Sequence, residues 1–232
     1  MANAPQLAAA SANARMIPAI GRIAWLRGAV GAALAIALTG LVTQLALHGD
    51  PALPWLLAPL GASAVLIFVL PASPLSQPWP VFGGHLVAAS VGLLAHALPL
   101  APWLAAALAV GTAIAAMSVA RCLHPPAGGT VLITALASPA IAAAGWHFLV
   151  APVALNVIAM LLAGIVWNRA TGHSYPHHAQ AVPPIANWVG HIEDADLDAV
   201  LADWDEVLDV SREDLLALLH ATEARVRARV LR

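Results

Sequence analysis

The sequence predicts an all-α protein that crosses a membrane several times. Three observations support this prediction: 61% of the 232 residues are hydrophobic, only 9% are charged, and the charges gather towards the two ends of the chain. Between Gly28 and Asn168, the only residues with a full formal charge are Asp50 and Arg121. A soluble domain carries roughly a quarter charged residues, so a polytopic membrane protein fits this pattern better. The single cysteine, Cys122, excludes an internal disulfide and a cysteine-based metal cluster.

Six apolar segments account for the middle of the chain, and each is close to the roughly 20 residues that a helix needs to cross ~30 Å of hydrocarbon. They comprise residues 25–47, 53–70, 82–98, 102–120, 126–144 and 146–167. Tryptophan rings prefer the headgroup level of a bilayer, and six of them stand at or just outside the segment ends: Trp25, Trp55, Trp79, Trp103, Trp146 and Trp167. If all six segments span the membrane and both termini are cytoplasmic, the arginines fall on the cytoplasmic side, as the positive-inside rule requires.

A short pattern occurs twice in this apolar region. Residues 59–66 (PLGASAVL) resemble residues 126–133 (PAGGTVLI), and the shared pattern is P-x-G-[AG]-[ST] followed by aliphatic residues. With their flanking segments, the two copies predict two three-helix repeats. Because each repeat has an odd number of spans, the repeats are expected to be inverted relative to each other. The alternative is four full spans plus two re-entrant half-helices formed by the P-x-G segments.

The P-x-G pattern is typical of a helix start that can bind an anion. Proline is favoured in the first turn of a helix, and glycine and a small hydroxyl residue leave the first backbone N–H groups uncovered. We therefore predict that the two motifs bind substrate through Gly61, Ala62, Ser63, Gly128, Gly129 and Thr130. The competing interpretation is that these small residues only permit close helix packing.

Arg121 and His124 directly precede the second motif and extend the predicted site. A planar guanidinium binds a planar oxyanion through paired hydrogen bonds, and an imidazole can donate to the anion or carry a proton with it. Both side chains are predicted to face the other repeat. The alternatives are that Arg121 anchors the segment at the headgroups and that His124 caps a helix end. Three prolines are predicted to form the structural turn or gate of the site: Pro59, Pro125 and Pro126.

Three motifs in this order resemble the HPP family of integral membrane proteins, which is named for its His-Pro-Pro sequence. They are residues 123–130 (LHPPAGGT), residues 61–66 (GASAVL) and residues 73–78 (SPLSQP), within a similarity that covers about residues 20–170. The resemblance implies a membrane domain commonly described with four transmembrane helices. Because cyanobacterial and chloroplast members are associated with nitrite transport, it also implies a small monovalent oxyanion as substrate. The family motif carries over onto His124, Pro125 and Pro126, with Arg121 as the basic residue before it.

These features predict four regions. They are a cytoplasmic leader (1–22), an HPP transmembrane domain (23–168), a linker (169–191) and an acidic C-terminal helical hairpin (192–232). The predicted location is the inner (plasma) membrane, and the lipid bilayer and a small inorganic anion are the expected partners. The tail is predicted to contribute to a homo-oligomer by pairing between subunits through Leu215, Leu218, Leu219 and Val226.

Four further residues are candidates for a transport pathway: Gln77, His85, His147 and Asn156. The alternatives are helix-end capping for the histidines, an interhelical hydrogen bond for Asn156 and a structural turn for Gln77. His173, His177 and His178 are expected to form a solvated loop rather than a metal site, so no metal or cofactor is predicted. Nucleic acid is not an expected partner, and no enzyme activity is expected because the segments contain no acid. The competing hypothesis for function is a membrane sensor or scaffold whose C-terminal tail is the output.

Overall fold

The computed structural model of the chain describes residues 24–48, 53–178, 192–203 and 210–230. The predicted leader, residues 1–22, lies outside the described residues, as does most of the predicted linker. The described parts contain helices and turns and no strand. The helices are α1 (Ala24–Ala46), α2 (Leu60–Val69), α3 (Pro78–His96), α4 (Pro102–Val119), α5 (Ala127–Ala135), α6 (Pro139–Ala144), α7 (Leu155–Ala170), α8 (Asp194–Asp203) and α9 (Arg212–Val230).

Four helical stretches in the described parts are long and apolar enough to cross a membrane. They are Trp25–Ala46, Pro78–His96, Pro102–Val119 and Leu149–Ala170. The last one combines α7 with an irregular turn, Leu149–Ala154, whose backbone is extended at Ala151. Four tryptophans close to the ends of these stretches, Trp25, Trp79, Trp103 and Trp146, are more than half exposed, as expected for rings at a membrane surface.

The expectation that all six apolar segments form spanning helices is not confirmed. The second segment yields only the 10 residues of α2, and the fifth is divided into the 9 residues of α5 and the 6 residues of α6. The longer pieces, α2 and α5, are therefore only ~15 Å long. Prolines explain both truncations. The first P-x-G motif starts α2 only at Leu60, and Pro139 disfavours helical backbone at Ser138, so the fifth segment breaks between α5 and α6. These lengths agree with four long helices and two short ones, as the alternative expects.

Two buried asparagines on α7 fasten the two ends of the α2 segment. The Asn156 side chain accepts a hydrogen bond from the N–H of Leu57 (3.0 Å) and donates to Thr43 on α1 (2.7 Å). At the other end of α7, the Asn168 side-chain amide donates to the carbonyl of Ile67 (3.0 Å). Asn156 is thus an interhelical tie, one of the two roles weighed from the sequence.

Arg27 on α1 connects the ends of α2 and α7 by hydrogen bonds. Its guanidinium donates to the Asn168 side chain (2.9 Å), to Thr171 (3.2 Å) and to the carbonyl of Phe68 (2.9 Å). Because a helix end leaves its last carbonyls without partners, Arg27 satisfies the end of α2 while holding α1 and α7 together. These contacts make α1 antiparallel to both α2 and α7.

Helix α3 is the centre of the domain, and glycines allow its close packing. A Cβ on Gly84 would lie 2.7 Å from the Cβ of His124, and a Cβ on Gly92 would overlap the Thr134 hydroxyl. Helices α3 and α5 therefore run side by side in the same direction. Trp79 at the start of α3 donates to the carbonyl of Ala120, just after α4 ends (3.1 Å), so α3 and α4 are antiparallel.

Candidate functional site

Four polar side chains meet inside the domain and are completely buried. They are Ser63 in the first turn of α2, His85 on α3, His124 in the loop before α5, and Thr130 in the first turn of α5. The Ser63 hydroxyl lies 3.0 Å from His85 Nε2 and 2.8 Å from His124 Nε2, and His85 Nδ1 lies 2.7 Å from the Thr130 hydroxyl. We call these four residues the histidine cluster.

The carbonyl of Leu75 sets the direction of every hydrogen bond in the histidine cluster. His124 Nδ1 lies 2.8 Å from this carbonyl, which can only accept, so Nδ1 carries a proton. In neutral His124, Nε2 then accepts from the Ser63 hydroxyl. Ser63 has no second proton, so it accepts from His85 Nε2–H, and His85 Nδ1 accepts from Thr130. The rings lie 5.2 Å apart between centroids.

The two P-x-G motifs bring the histidine cluster together. A Cβ on Gly129 would lie 2.7 Å from Cγ of Pro59, so the second motif packs directly on the proline of the first. Gly83 and Gly84 allow residues 122–124 to lie against α3. The starts of α2 and α5 therefore meet at one place, with His85 on the adjoining face of α3.

The first backbone N–H groups of α2 and α5 are paired within the chain. Those of α2 donate to carbonyls three residues back, from Leu60 to Leu57, from Gly61 to Ala58 and from Ala62 to Pro59. In α5 the pairs are Ala127 to His124, Gly128 to Pro125 and Gly129 to Pro126. The expectation of several uncovered backbone donors is thus wrong for these groups, because one tight turn precedes each helix and supplies the acceptors. The hydroxyls of Ser63 and Thr130 are the polar groups that these starts turn towards the site.

The family can now be assigned on sequence comparison. The sequence profile described as HPP, transmembrane region, matches residues 17–176. This chain belongs to the HPP family. It is similar to two transmembrane proteins of Dictyostelium discoideum, with 37% identity over 127 residues and 33% identity over 147 residues.

The alignments with the two relatives cover only part of each chain. The first alignment spans 53% of this chain and 40% of the relative, and the second spans 60% and 51%. The chain thus spans about half the length, or less, of the curated relatives that it matches. No solved structure matches the chain significantly.

The structure places most of the predicted site residues of this HPP-family chain either in the buried histidine cluster or at more exposed positions, and it buries Asn156 away from the cluster. The histidine cluster contains the predicted residues Ser63, His124 and Thr130 together with the pathway candidate His85. The predicted residues at the surface are Gly61, Ala62, Arg121, Pro125 and His147, and those of intermediate exposure are Pro59, Gln77, Pro126, Gly128 and Gly129. Substrate binding by any of them stays a prediction.

Arg121 lies directly after the end of helix α4, in the loop that contains His124, Pro125 and Pro126 (the His-Pro-Pro loop), and its side chain is exposed. Its N–H donates to the carbonyl of Ser118 (3.1 Å), and the next N–H, of Cys122, donates to the carbonyl of Met117 (2.8 Å). This pair of bonds is a Schellman motif, which places Arg121 in the left-handed region that favours glycine, at φ 52°. His124 is buried and contacts Ser63 of the first motif, as predicted, whereas Arg121 is exposed.

Arg121→Gly is therefore expected to raise the free energy of unfolding by up to about 1 kcal/mol, because glycine adopts the left-handed conformation without strain. Arg121→Ala is the matched control, since it removes the same charge and keeps the strain. Thermal unfolding of the two variants in detergent measures the difference. Equal midpoints would contradict the assignment of strain to this position.

Sequence reasoning did not identify the roles of Arg27 and Asn168. Arg27 was expected to lie on the cytoplasmic side, and Asn168 is the first residue after the last predicted segment, 146–167. The signal that could have suggested their contact is an arginine early in the first span together with an asparagine directly after the last predicted segment. His177, expected in a solvated loop, donates from Nε2 to Asp214 of α9 (2.8 Å). Across the residues with described structure, no three His, Cys, Asp or Glu side chains are arranged to hold a metal ion.

Proposed function

We propose that this HPP-family chain carries a small monovalent anion across the membrane, with nitrite as the first substrate to test. The observation that carries the proposal is the histidine cluster: four buried, hydrogen-bonding side chains at the meeting point of two helix starts, inside an apolar domain. Buried polar groups in a membrane segment are costly and commonly mark a substrate or ion path. Nitrite is favoured over other small anions because the resemblance to HPP proteins implies it.

The proposal includes a three-plus-three inverted repeat in which the second and fifth segments are only partly helical. Three relative helix directions, each established by a contact described above, support it. Helix α1 is antiparallel to α2, α3 is antiparallel to α4, and α3 is parallel to α5. Tyr175, just beyond α7, donates to the carbonyl of Ser76, just before α3 (2.7 Å), so α3 starts where α7 ends. Segment directions then alternate along the chain, and α2 and α5 leave the histidine cluster in opposite directions.

We propose that the protein lies in the inner (plasma) membrane. Both of its termini would then face the cytoplasm. With alternating directions, Arg27, Arg121 and Arg169 share the side on which α1 starts. An excess of arginine marks the cytoplasmic side of a membrane protein. Self-association through the tail residues, of which Leu218 is 64% exposed, stays a prediction.

The experiment that tests transport is nitrite uptake into proteoliposomes that contain the full chain, at pH 8, where little of the nitrite is in its membrane-permeant acid form. Uptake should exceed that of protein-free liposomes and should be competed by formate or nitrate in proportion to their affinity. If no small anion enters faster than in protein-free liposomes, the transport proposal fails. An enzyme activity is not proposed.

A second candidate function is a membrane sensor whose tail is the output, and one set of contacts favours it. Asp214 on α9 binds His177, and the backbone N–H of His177 donates to the side chain of Gln77 (2.8 Å). Gln77 in turn donates to the carbonyls of Pro71 (2.9 Å) and Ser73 (2.8 Å) in the loop that carries Leu75. The tail is thereby connected to the same loop that binds His124.

Asp214→Asn is expected to loosen the tail from the membrane domain. Hydrogen exchange in residues 210–230 should become roughly two- to five-fold faster, as expected for loss of a partly exposed pair worth ~0.5–1 kcal/mol. Glu213→Gln, at the exposed neighbouring position, is the control and should leave exchange unchanged. If Asp214→Asn exchanges like the wild type, the His177–Asp214 pair does not hold the tail.

The same contact predicts a pH dependence. Burial alone would raise the pKa of Asp214, but hydrogen bonds from Ser211 and His177 hold the pKa below its ordinary value. A carboxyl with a lowered pKa in the folded state stabilises that state above its unfolded pKa, about 4. The stabilisation is lost as the pH falls through the lowered value. The protection of the tail amides, meaning their exchange rate relative to the intrinsic rate at the same pH, should therefore fall below about pH 4 in the wild type, and this step should be absent in Asp214→Asn.

A further inference from the structure

The histidine cluster has a second arrangement of hydrogen bonds that holds one more proton. In the neutral arrangement, His124 Nε2 accepts from the Ser63 hydroxyl. A proton added at Nε2 turns this nitrogen into a donor, and both histidines then donate from Nε2 to the Ser63 oxygen, which has two lone pairs. The Ser63 hydroxyl can rotate to the carbonyl of Pro59, 3.4 Å away. Every donor of the cluster keeps an acceptor in this state.

We propose that His85, Ser63 and His124 form a one-proton site that is loaded together with the anion, so that the protein carries a proton and an anion with no net charge. This inference rests on the transport function proposed above and specifies it. The proton comes from water on the side where the anion enters, binds the lone pair of His124 Nε2, and returns to water on the other side. No other bond is formed or broken.

Repulsion between the two rings limits the cluster to one added proton. A second proton would have to bind His85 Nδ1 and would leave Thr130 to accept where it now donates. It would also place two cationic rings 5.2 Å apart, where like charges repel strongly in a medium of low dielectric constant.

Few other titratable groups lie on the elements that surround the cluster. On α2 and the Pro74–Ser76 turn there are none, and α3 adds only His96 at its far end, where it donates to the carbonyl of Ala135. The segment between α4 and α5 adds the buried thiol of Cys122 and the exposed Arg121, and Tyr175 lies against Ser76. In the part of these elements that the structure describes, no carboxylate is available to balance a protonated histidine, so the anion itself is the partner of opposite charge.

The test measures proton and charge movement with nitrite in wild-type proteoliposomes. The vesicles contain a pH dye, and valinomycin with potassium sets the membrane potential to zero or to 100 mV in either direction. We expect one proton to enter per protein-dependent nitrite and the extent of uptake to be the same at all three potentials. A carrier that moves nitrite alone would change its accumulation by about fifty-fold per 100 mV.

The outcomes separate the two proposals. No protein-dependent uptake of nitrite refutes transport itself. Uptake that follows the potential and moves no proton leaves transport intact and overturns the one-proton site. His124→Gln can place an amide near the Nε2 position and cannot carry the proton, so it should lose proton-coupled uptake; coupled uptake that survives at one proton per nitrite would also overturn the proposal. If His124→Gln does not fold, the wild-type stoichiometry still decides.

Discussion

His124→Ala is expected to abolish protein-dependent nitrite uptake, so that the proteoliposomes take up nitrite no faster than protein-free liposomes. The substitution removes the imidazole that contacts both Ser63 and the carbonyl of Leu75. Ser63 keeps His85 as a partner, whereas the Leu75 carbonyl loses its donor. Each buried group left unpaired costs about 1–3 kcal/mol. Because the Leu75 carbonyl is the group left unpaired, the free energy of unfolding should fall by about 1–3 kcal/mol, with a further loss from the space that the imidazole leaves empty.

His124→Asn separates the structural part of this effect from the functional part. An asparagine amide can reach the position of Nδ1 and donate to Leu75, so part of the lost stability should return, whereas Nε2 and its proton are still absent. Uptake should stay at the background. His178→Ala, which removes an exposed histidine outside the spanning helices, is the control and should transport like the wild type. Uptake by His124→Asn at the wild-type rate would show that His124 serves only to hold the fold.

The sequence predicts the long helices of this protein but not the places where the shorter helices begin and end. Hydropathy and tryptophans locate the long helices, because spanning length and ring position are properties of the residues themselves. Hydropathy does not reveal where a backbone breaks inside an apolar segment. The second segment, 53–70, is as apolar as the others, yet its helix begins only at Leu60, after two prolines and a series of turns.

The candidate site shows the same limit in its electrostatics. The sequence favoured Arg121, because it is the one arginine in the middle of the chain, and the structure places neutral side chains at the meeting of the helix starts. A permanent charge buried there would cost several kcal/mol without a partner. Histidine and hydroxyl groups avoid that cost and still form hydrogen bonds. His85 was predicted only as a pathway candidate, because its position on α3 becomes significant only once Ser63 and Thr130 are in place.

Gly84 supports the proposed site from behind, because α3 has no side chain at the point where the His-Pro-Pro loop crosses it. A Cβ there would lie 2.7 Å from the Cβ of His124 and 2.9 Å from the carbonyl oxygen of Cys122. These are backbone or backbone-proximal atoms that cannot move without moving the loop. Gly84→Ala should thus destabilise the protein by about 1–3 kcal/mol, the usual range for overpacking.

The larger effect of Gly84→Ala is expected on uptake. A displaced loop takes His124 away from Ser63, so nitrite uptake should fall as far as in His124→Ala although every polar residue is retained. Gly111→Ala on α4 is the matched control, because a Cβ there meets nothing within 4 Å. Alanine favours helix over glycine by up to about 1 kcal/mol, so this variant should be as stable as the wild type or more stable. Wild-type uptake by folded Gly84→Ala would mean that transport does not require the Ser63–His124 contact, whereas a loss of uptake confined to Gly84→Ala ties it to the position of the loop.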